Sequence, residues 1–197
     1  MNNNNQIRIA ILGAGGLGQA MARLVHQKKD AIVVGACEKD GIAFHPQGLP
    51  LETFNGDITQ SQYGKTADDP FGELLKHKNE IDGIFVALPN LPNEFIPNVV
   101  SRFAEEGYSG VLVDALKRSR AVELMMQLND KISRAKMTYI TGCGATPGLL
   151  TAAANLASMS FVEIKKIDIY FGVGISNWNA YRATIREDIG HLPGFNI

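Results

Sequence analysis

Ile7-Arg8-Ile9-Ala10-Ile11-Leu12-Gly13-Ala14-Gly15-Gly16-Leu17-Gly18 is the stretch from which the rest of the chain can be read. Six mainly aliphatic residues predict a buried strand, and a G-x-G-x-x-G run follows at once. Leu17, Met21, Leu24 and Val25 then fall at i, i+4, i+7 and i+8, which predicts one face of a helix. In a strand, turn and helix of this kind each glycine has its own use. Gly13 permits the tight turn, Gly15 lets the backbone approach a pyrophosphate, and Gly18 lets the helix pack close to the strand. Gly16 and Leu17 begin the helix, where unpaired N–H groups and the positive dipole end favour an anion. A second strand over residues 31–37 is closed by Glu38, twenty residues after Gly18. There a carboxylate can accept both hydroxyls of an adenosine ribose. The set predicts a dinucleotide site; the open alternative is a glycine turn that holds another ligand or none. Glu38 would repel a 2′-phosphate and favours NAD, whereas its neighbour Lys39 keeps NADP open or is simply a solvated lysine.

Beyond Glu38 the pattern is harder to follow. Residues 39–70 carry Pro46, Gly48, Pro50, Gly56, Gly64 and Pro70, so loops and one strand are expected there. A short helix over 71–78 precedes a buried-type strand, 84–88, which Pro89 stops. Ile96, Val99, Val100 and Phe103 make the next helical stripe, with Pro97 tolerated in its first turn. Val111 to Val113 reads as another strand, ending at Asp114, and Ala121, Met125, Leu128 and Ile132 line one helix after it. A strand over 137–141 leads to a helix with Thr146 as N-cap and Pro147 as its first residue. Residues 149–157 are apolar around most of the circumference, which predicts burial. From Ile164 the apolar residues alternate, as in a strand wet on one face. The alternation of strands and helices predicts an α/β fold, a doubly wound parallel sheet of the Rossmann type with the start of a second α+β domain. The expected division is a polar tail over 1–6, a dinucleotide-binding domain with its linking helix over 7–160, and the start of a substrate or dimerisation domain over 161–197.

Composition narrows the classes of function. The 197 residues are 45% apolar and 20% charged, and 19 Lys and Arg against 20 Asp and Glu leave a net charge of −1 without a basic stripe. Nucleic acid and anionic lipid are thereby disfavoured, and a small ligand is the default. The two cysteines, Cys37 and Cys143, fit neither a disulfide framework nor paired metal spacings. With no secretory leader and no apolar run of membrane-spanning length, a reducing cytoplasmic location is expected. The edge of a sheet beginning at Ile164 would be covered in a homodimer.

Further candidates sit at the carboxyl ends of strands, the edge where such sheets bind ligands. Leu88, Pro89 and Asn90 would flank a nicotinamide. Lys117, in Asp114-Ala115-Leu116-Lys117, would position a substrate carboxylate or donate a proton; alternatively it caps a helix or meets solvent. Late in the chain, Arg182 and Arg186 are four apart, so a helix would set both on one face to clamp a carboxylate or phosphate, unless Glu187 and Asp188 pair them at the surface. Arg182 for orientation and His191 for acid/base work complete the catalytic candidates.

The run Gly142-Cys143-Gly144-Ala145-Thr146-Pro147-Gly148-Leu149 resembles the G-x-x-P-G-x junction of saccharopine dehydrogenase-like reductases, which links a Rossmann domain to a substrate and dimerisation domain. The glycine run Gly13 to Gly18 and Trp178-Asn179-Ala180-Tyr181-Arg182-Ala183-Thr184 extend the resemblance over most of the chain. It implies an NAD(P)-dependent oxidoreductase that passes hydride to or from an imine or secondary amine derived from amino acids, in a chain lacking its C-terminal part. Thr146 departs from the Asp or Asn of better-known members, so substrate identity is not carried over. Two other readings stay open. One is a dinucleotide-binding module without turnover. The other is semialdehyde dehydrogenase-type chemistry at Cys143, a thiol activated near a helix N-terminus, against which stands an inert buried cysteine.

Overall fold

The computed structural model describes residues 6–89, 92–115, 119–145 and 148–170. The chain divides into two compact units, Met1–Cys143 and Gly144–Ile197. In the first unit β1 (Ile7–Leu12), α1 (Gly16–His26), β2 (Ala31–Glu38), β3 (Gly41–Phe44) and β4 (Gly64–Thr66) are followed by α2 (Pro70–Leu75), β5 (Gly83–Val86) and α3 (Phe95–Glu105). Then come β6 (Val111–Asp114), α4 (Ser119–Met126), α5 (Asn129–Arg134) and β7 (Thr138–Ile140). The strands form one sheet in the order β4-β3-β2-β1-β5-β6-β7. From β2 through β7 the pairs are parallel, as the repeated strand and helix pattern requires.

Alternation along β1 sorts the core onto two faces. Ala10 and Leu12 join Val34, Ile84, Val86 and Leu112 beneath residues of α2 to α5, whereas Ile11 joins Val33, Ala36 and Ala43 beneath Ala22 and Val25 of α1. Helices therefore cover both faces, and the doubly wound reading holds. The stripe expected on α3 is buried as spaced: Ile96, Val99, Val100 and Phe103 all lie inside. Phe103 packs edge-on against Phe71 and Tyr108, with ring centroids at 6.3 and 5.9 Å. Among the described residues no helix is long and apolar enough to cross a membrane.

Several expectations are corrected. The stretch 39–70 holds two strands, and both pair antiparallel at the sheet edge, so the sheet is mixed. At four and three residues they are too short to show a period among the turn residues around them. On α1 the buried positions are Gly18, Ala22 and Val25, while Leu17 and Leu24 stand half exposed. The helix approaches the sheet through its small residues, which turns the leucines outward. The single helix expected around Ala121 to Ile132 is broken between Met126 and Asn129 into α4 and α5, although Ala121, Met125 and Ile132 keep their inward places.

The second unit departs further from expectation. Its helix α6 (Leu149–Ser158) starts after Gly148, whose φ of +131° is not helical, and position 147, expected as its first residue, lies outside the described residues. None of its side chains is buried, contrary to the expected packed helix. Residues 161–170 are neither helix nor strand, and Ile164, Ile167 and Ile169 are exposed. Alternation assigns faces, but a strand also needs a hydrogen-bonded neighbour, and no described segment supplies one. Position 146 and residues 171–197 lie outside the described residues.

Phe103→Ala removes a fully buried ring with two aromatic neighbours, and should lower stability by about 3–5 kcal/mol. Urea unfolding with an unchanged m-value is the measurement.

Candidate functional site

The turn after β1 is tied to the strands on both sides. Gly13 N–H donates to the Cys37 carbonyl at 2.8 Å, and Ala87 N–H donates to the Leu12 carbonyl at 2.8 Å. The chain thus leaves β1 between the ends of β2 and β5, where strand order reverses and a crevice opens. Gly13 has φ +96°, and a Cβ there would lie 2.6 Å from the Ala87 carbonyl oxygen. A Cβ on Gly18 would lie 1.9 Å from the Gly13 carbonyl oxygen. Both are closed to any side chain. Gly15 is the opposite case, since a Cβ there would meet nothing within 4 Å.

Gly15 is also the N-cap of α1, and no side chain caps the helix or places an acid in its first turn. The N–H groups of the first turn therefore lie open to an anion in a field that favours one. Gly13, Ala14 and Gly15 line a cleft of about 900 Å³. Its apolar end is made by Ala87, Leu88, Pro89 and Phe95, and its polar end by Glu38, Lys39, Asp40, Asp57, Thr59 and Gln60. Cys37, Thr66, Pro70 and Phe71 complete the lining.

Charge is distributed unevenly over the polar end. Burial raises the Glu38 carboxyl above the ordinary glutamate range, and the fields of Asp57 and then Asp40 push it the same way. Beside it, Cys37 is a buried free thiol whose proton affinity is raised, first by burial and then by Asp69; its sulfur donates to the Pro70 carbonyl at 3.5 Å. Pro70 and Phe71 are held by an anchor at the start of α2. Asp69 caps that helix by accepting from Gly72 N–H at 3.1 Å, and Arg102 grips both carboxylate oxygens at 2.7 and 2.5 Å. These bonds, Arg102 foremost, hold Asp69 down to about 2.

The sequence candidates fare unequally. Gly13, Gly15, Glu38, Lys39, Leu88 and Pro89 line one cleft, and Gly16, Leu17 and Gly18 open α1 at its floor. Asn90, Lys117, Arg182 and His191 lie outside the described residues. Asp114 ends β6, buried, and accepts a hydrogen bond from the Tyr139 hydroxyl. Cys143 is exposed, contrary to the buried reading, and stands six residues before the start of α6, so it is not at that helix terminus. Asp57, Thr59, Thr66 and Phe71 were not found from sequence. The local signal for the first was an Asp two residues before a Thr, which a capped turn uses, but nothing local brought it to Glu38.

No family model matches the chain. Among curated proteins it is similar to (S)-8-amino-7-oxononanoate synthase BioU of Haloferax mediterranei, 35% identical over 227 aligned positions that cover 98% of this chain. The chain spans 64% of that relative's length. Among solved structures, C. glutamicum DAP dehydrogenase in complex with DAP superposes with a TM-score of 0.58 at 19% identity, over 81% of this chain and 42% of that one. An engineered D-amino acid dehydrogenase bound to NADP+ superposes with a TM-score of 0.56 at 20% identity, over 80% and 42%. These two likenesses show the Rossmann-type fold.

Gly18→Ala should lower stability by about 3 kcal/mol or more, since a backbone carbonyl must move. Gly15→Ala should change it by no more than about 1 kcal/mol, the difference between Gly and Ala at an N-cap. Paired thermal melts of the two variants give the comparison.

Proposed function

We propose that this chain is the nucleotide-binding part of an NAD(P)-dependent oxidoreductase acting on an amino-acid-derived imine or secondary amine. The observation that carries the reading is the uncapped N-terminus of α1 at the floor of the cleft, with open space at Gly15 and Glu38 at the far end. That arrangement fits a pyrophosphate at the helix N-terminus and the adjoining adenosine ribose diol at Glu38. Bound there, the cofactor supplies hydride exchange at its nicotinamide.

The chain's own residues supply position and environment. The N–H groups at Gly15 to Gly18 hold the pyrophosphate, and the Glu38 carboxylate accepts the adenosine ribose hydroxyls. Pro70 and Phe71 give the adenine an apolar wall. Leu88, Pro89 and Phe95 keep water from the nicotinamide half, with Asn90 next along the chain. Lys117, which follows the end of β6, is assigned to a substrate carboxylate or to proton donation, Arg182 to orientation and His191 to acid/base work.

Several comparisons support the substrate class. The curated relative is a synthase of (S)-8-amino-7-oxononanoate, an amino-oxo carboxylate, and the two structural neighbours are a DAP dehydrogenase and a D-amino acid dehydrogenase. One of these is bound to NADP+, so the fold by itself does not choose between the two cofactors. Saccharopine dehydrogenase-like chemistry at a carbon–nitrogen bond is the finer part of the proposal. A homodimer in the cytoplasm belongs to it too, where Cys37 and Cys143 remain free thiols.

Calorimetric titration should show micromolar binding of NAD(H), weakened at least about tenfold by Gly15→Ala, whose methyl group fills the pyrophosphate seat. Failure of all four nicotinamide nucleotides to bind would overturn the reading. A pH series tests the ribose contact. An ionised carboxylate accepts hydroxyl hydrogen bonds and a protonated one does so poorly, so affinity is full above the pKa of Glu38 and falls as pH drops through it. Because that pKa is raised by burial, Asp57 and Asp40, the fall should begin above the ordinary glutamate value of about 4.3. Asp57 titrates lower, its carboxylate held by Thr59. Glu38→Gln should flatten the profile.

A further inference from the structure

The connection between β3 and β4 brings a third carboxylate to the cleft. Asp57 caps the single-turn 3-10 helix Ile58–Gln60, accepting from the N–H of Thr59 at 2.9 Å and from its hydroxyl at 2.7 Å. The turn has no room to slide on the hairpin beneath it. A Cβ on Gly64 would lie 2.0 Å from the Ile58 carbonyl oxygen, a Cβ on Gly41 would lie 2.3 Å from the Thr59 methyl, and Ile58 is fully buried. Two glycines and one buried isoleucine thus fix where the Asp57 carboxylate stands.

It stands with Glu38 and Asp40 along one end of the cleft, against the single ammonium of Lys39. Each of the two aspartates raises the proton affinity of Glu38, so both carboxylates lie close enough to act on it. Among the described residues no three His, Cys, Asp or Glu side chains are grouped to hold a metal ion, and the excess negative charge belongs to side chains that line the cleft. It faces the cleft uncompensated. A free ribose diol benefits from such acceptors, and a 2′-phosphate does not.

We propose that Asp57 is a specificity-determining residue that, with Glu38 and Asp40, makes the cleft select a dinucleotide with a free 2′-hydroxyl over one with a 2′-phosphate. This rests on the dinucleotide reading above. A phosphate monoester carries about −1.5 to −2 at neutral pH. At a separation of about 6–8 Å in water-like dielectric, Coulomb's law has one carboxylate disfavour such a group by up to about tenfold in affinity. Glu38 lies closest to the site and is the least solvated, so it contributes most; Asp57 and Asp40 add to it.

Calorimetric titration of the full chain with NAD+ and with NADP+ tests the assignment. The unmodified protein should prefer NAD+ by at least about a hundredfold, narrowing as ionic strength rises. Asp57→Asn keeps an N-cap acceptor, so the turn is retained, and should shift the affinity ratio about tenfold toward NADP+. A purely structural role for Asp57 would leave the ratio and its salt dependence unmoved. If Asp57→Asn lowers the melting temperature sharply, Asp40→Asn, on the loop after Glu38, should give a shift of the same sign. Equal or tighter binding of NADP+, or a ratio that neither variant moves while NAD+ still binds, overturns the inference. Binding of neither nucleotide overturns the dinucleotide reading, and this inference with it.

Discussion

The contact between Gly18 and the carbonyl of Gly13 sets the distance between α1 and the sheet, and the cleft depends on that distance. The ideal Cβ position on Gly18 falls 1.9 Å from the carbonyl oxygen, so the helix can lie where it does only because that atom is missing. Ala22 and Val25 then close the seam with small and medium side chains, and the larger Leu17 and Leu24 turn to solvent. A helix held this close aims its first-turn N–H groups across the end of β1. A longer stand-off would carry those groups away from the crevice between β1 and β5, and with them the anion seat.

From that seat the cleft runs through an electrostatic gradient. At the helix end the charges are partial and positive and belong to the backbone, so they cannot titrate. At the other end they are whole, negative and carried by side chains of β2 and of the β3–β4 connection. The two ends are built by different means. The first is fixed by glycines at β1 and α1, which tolerate almost no change; the second depends on exposed carboxylates at Asp40 and Asp57, which tolerate neutral replacement at little structural cost.

The same division decides what could be read from the sequence. The strand, glycine turn and helix at residues 7–26, with Glu38, were legible because each element is long, periodic and local. The parallel order of the sheet followed from the alternation of such elements. Residues 39–70 were not legible, because β3 and β4 have four and three residues and their pairing joins positions as far apart as Gly41 and Thr66. Asp57 is brought to Glu38 only by that pairing and by the close fit of Gly41 and Gly64 beneath the turn. Burial of α6 was read from its apolar circumference, but composition states only that a helix would favour a cover, not that a described residue supplies it. The break between α4 and α5 escaped for a related reason, as the inward residues keep helical spacing across it.

Placing selectivity on the β3–β4 connection has a mechanical consequence. On the dinucleotide reading, the adenosine end would bear on the hairpin and on α2, whose start is fixed through Asp69 and Arg102 to α3 on the opposite face from α1. The seat at α1 rests instead on hydrogen bonds from Gly13 to Cys37 and from Ala87 to Leu12. The two ends also meet in one core cluster, where Phe54 and Ile58 of the β3–β4 connection pack with Ala14, Ala22 and Val25. Asp57 and Asp40 are themselves exposed, so a neutral side chain at either leaves that packing and the glycine turn in place. On the proposed reading, discrimination between nucleotides would be altered at one end of the cleft while the helix N-terminus proposed to hold the pyrophosphate stays as it is, which is how a single fold can serve enzymes that differ in cofactor.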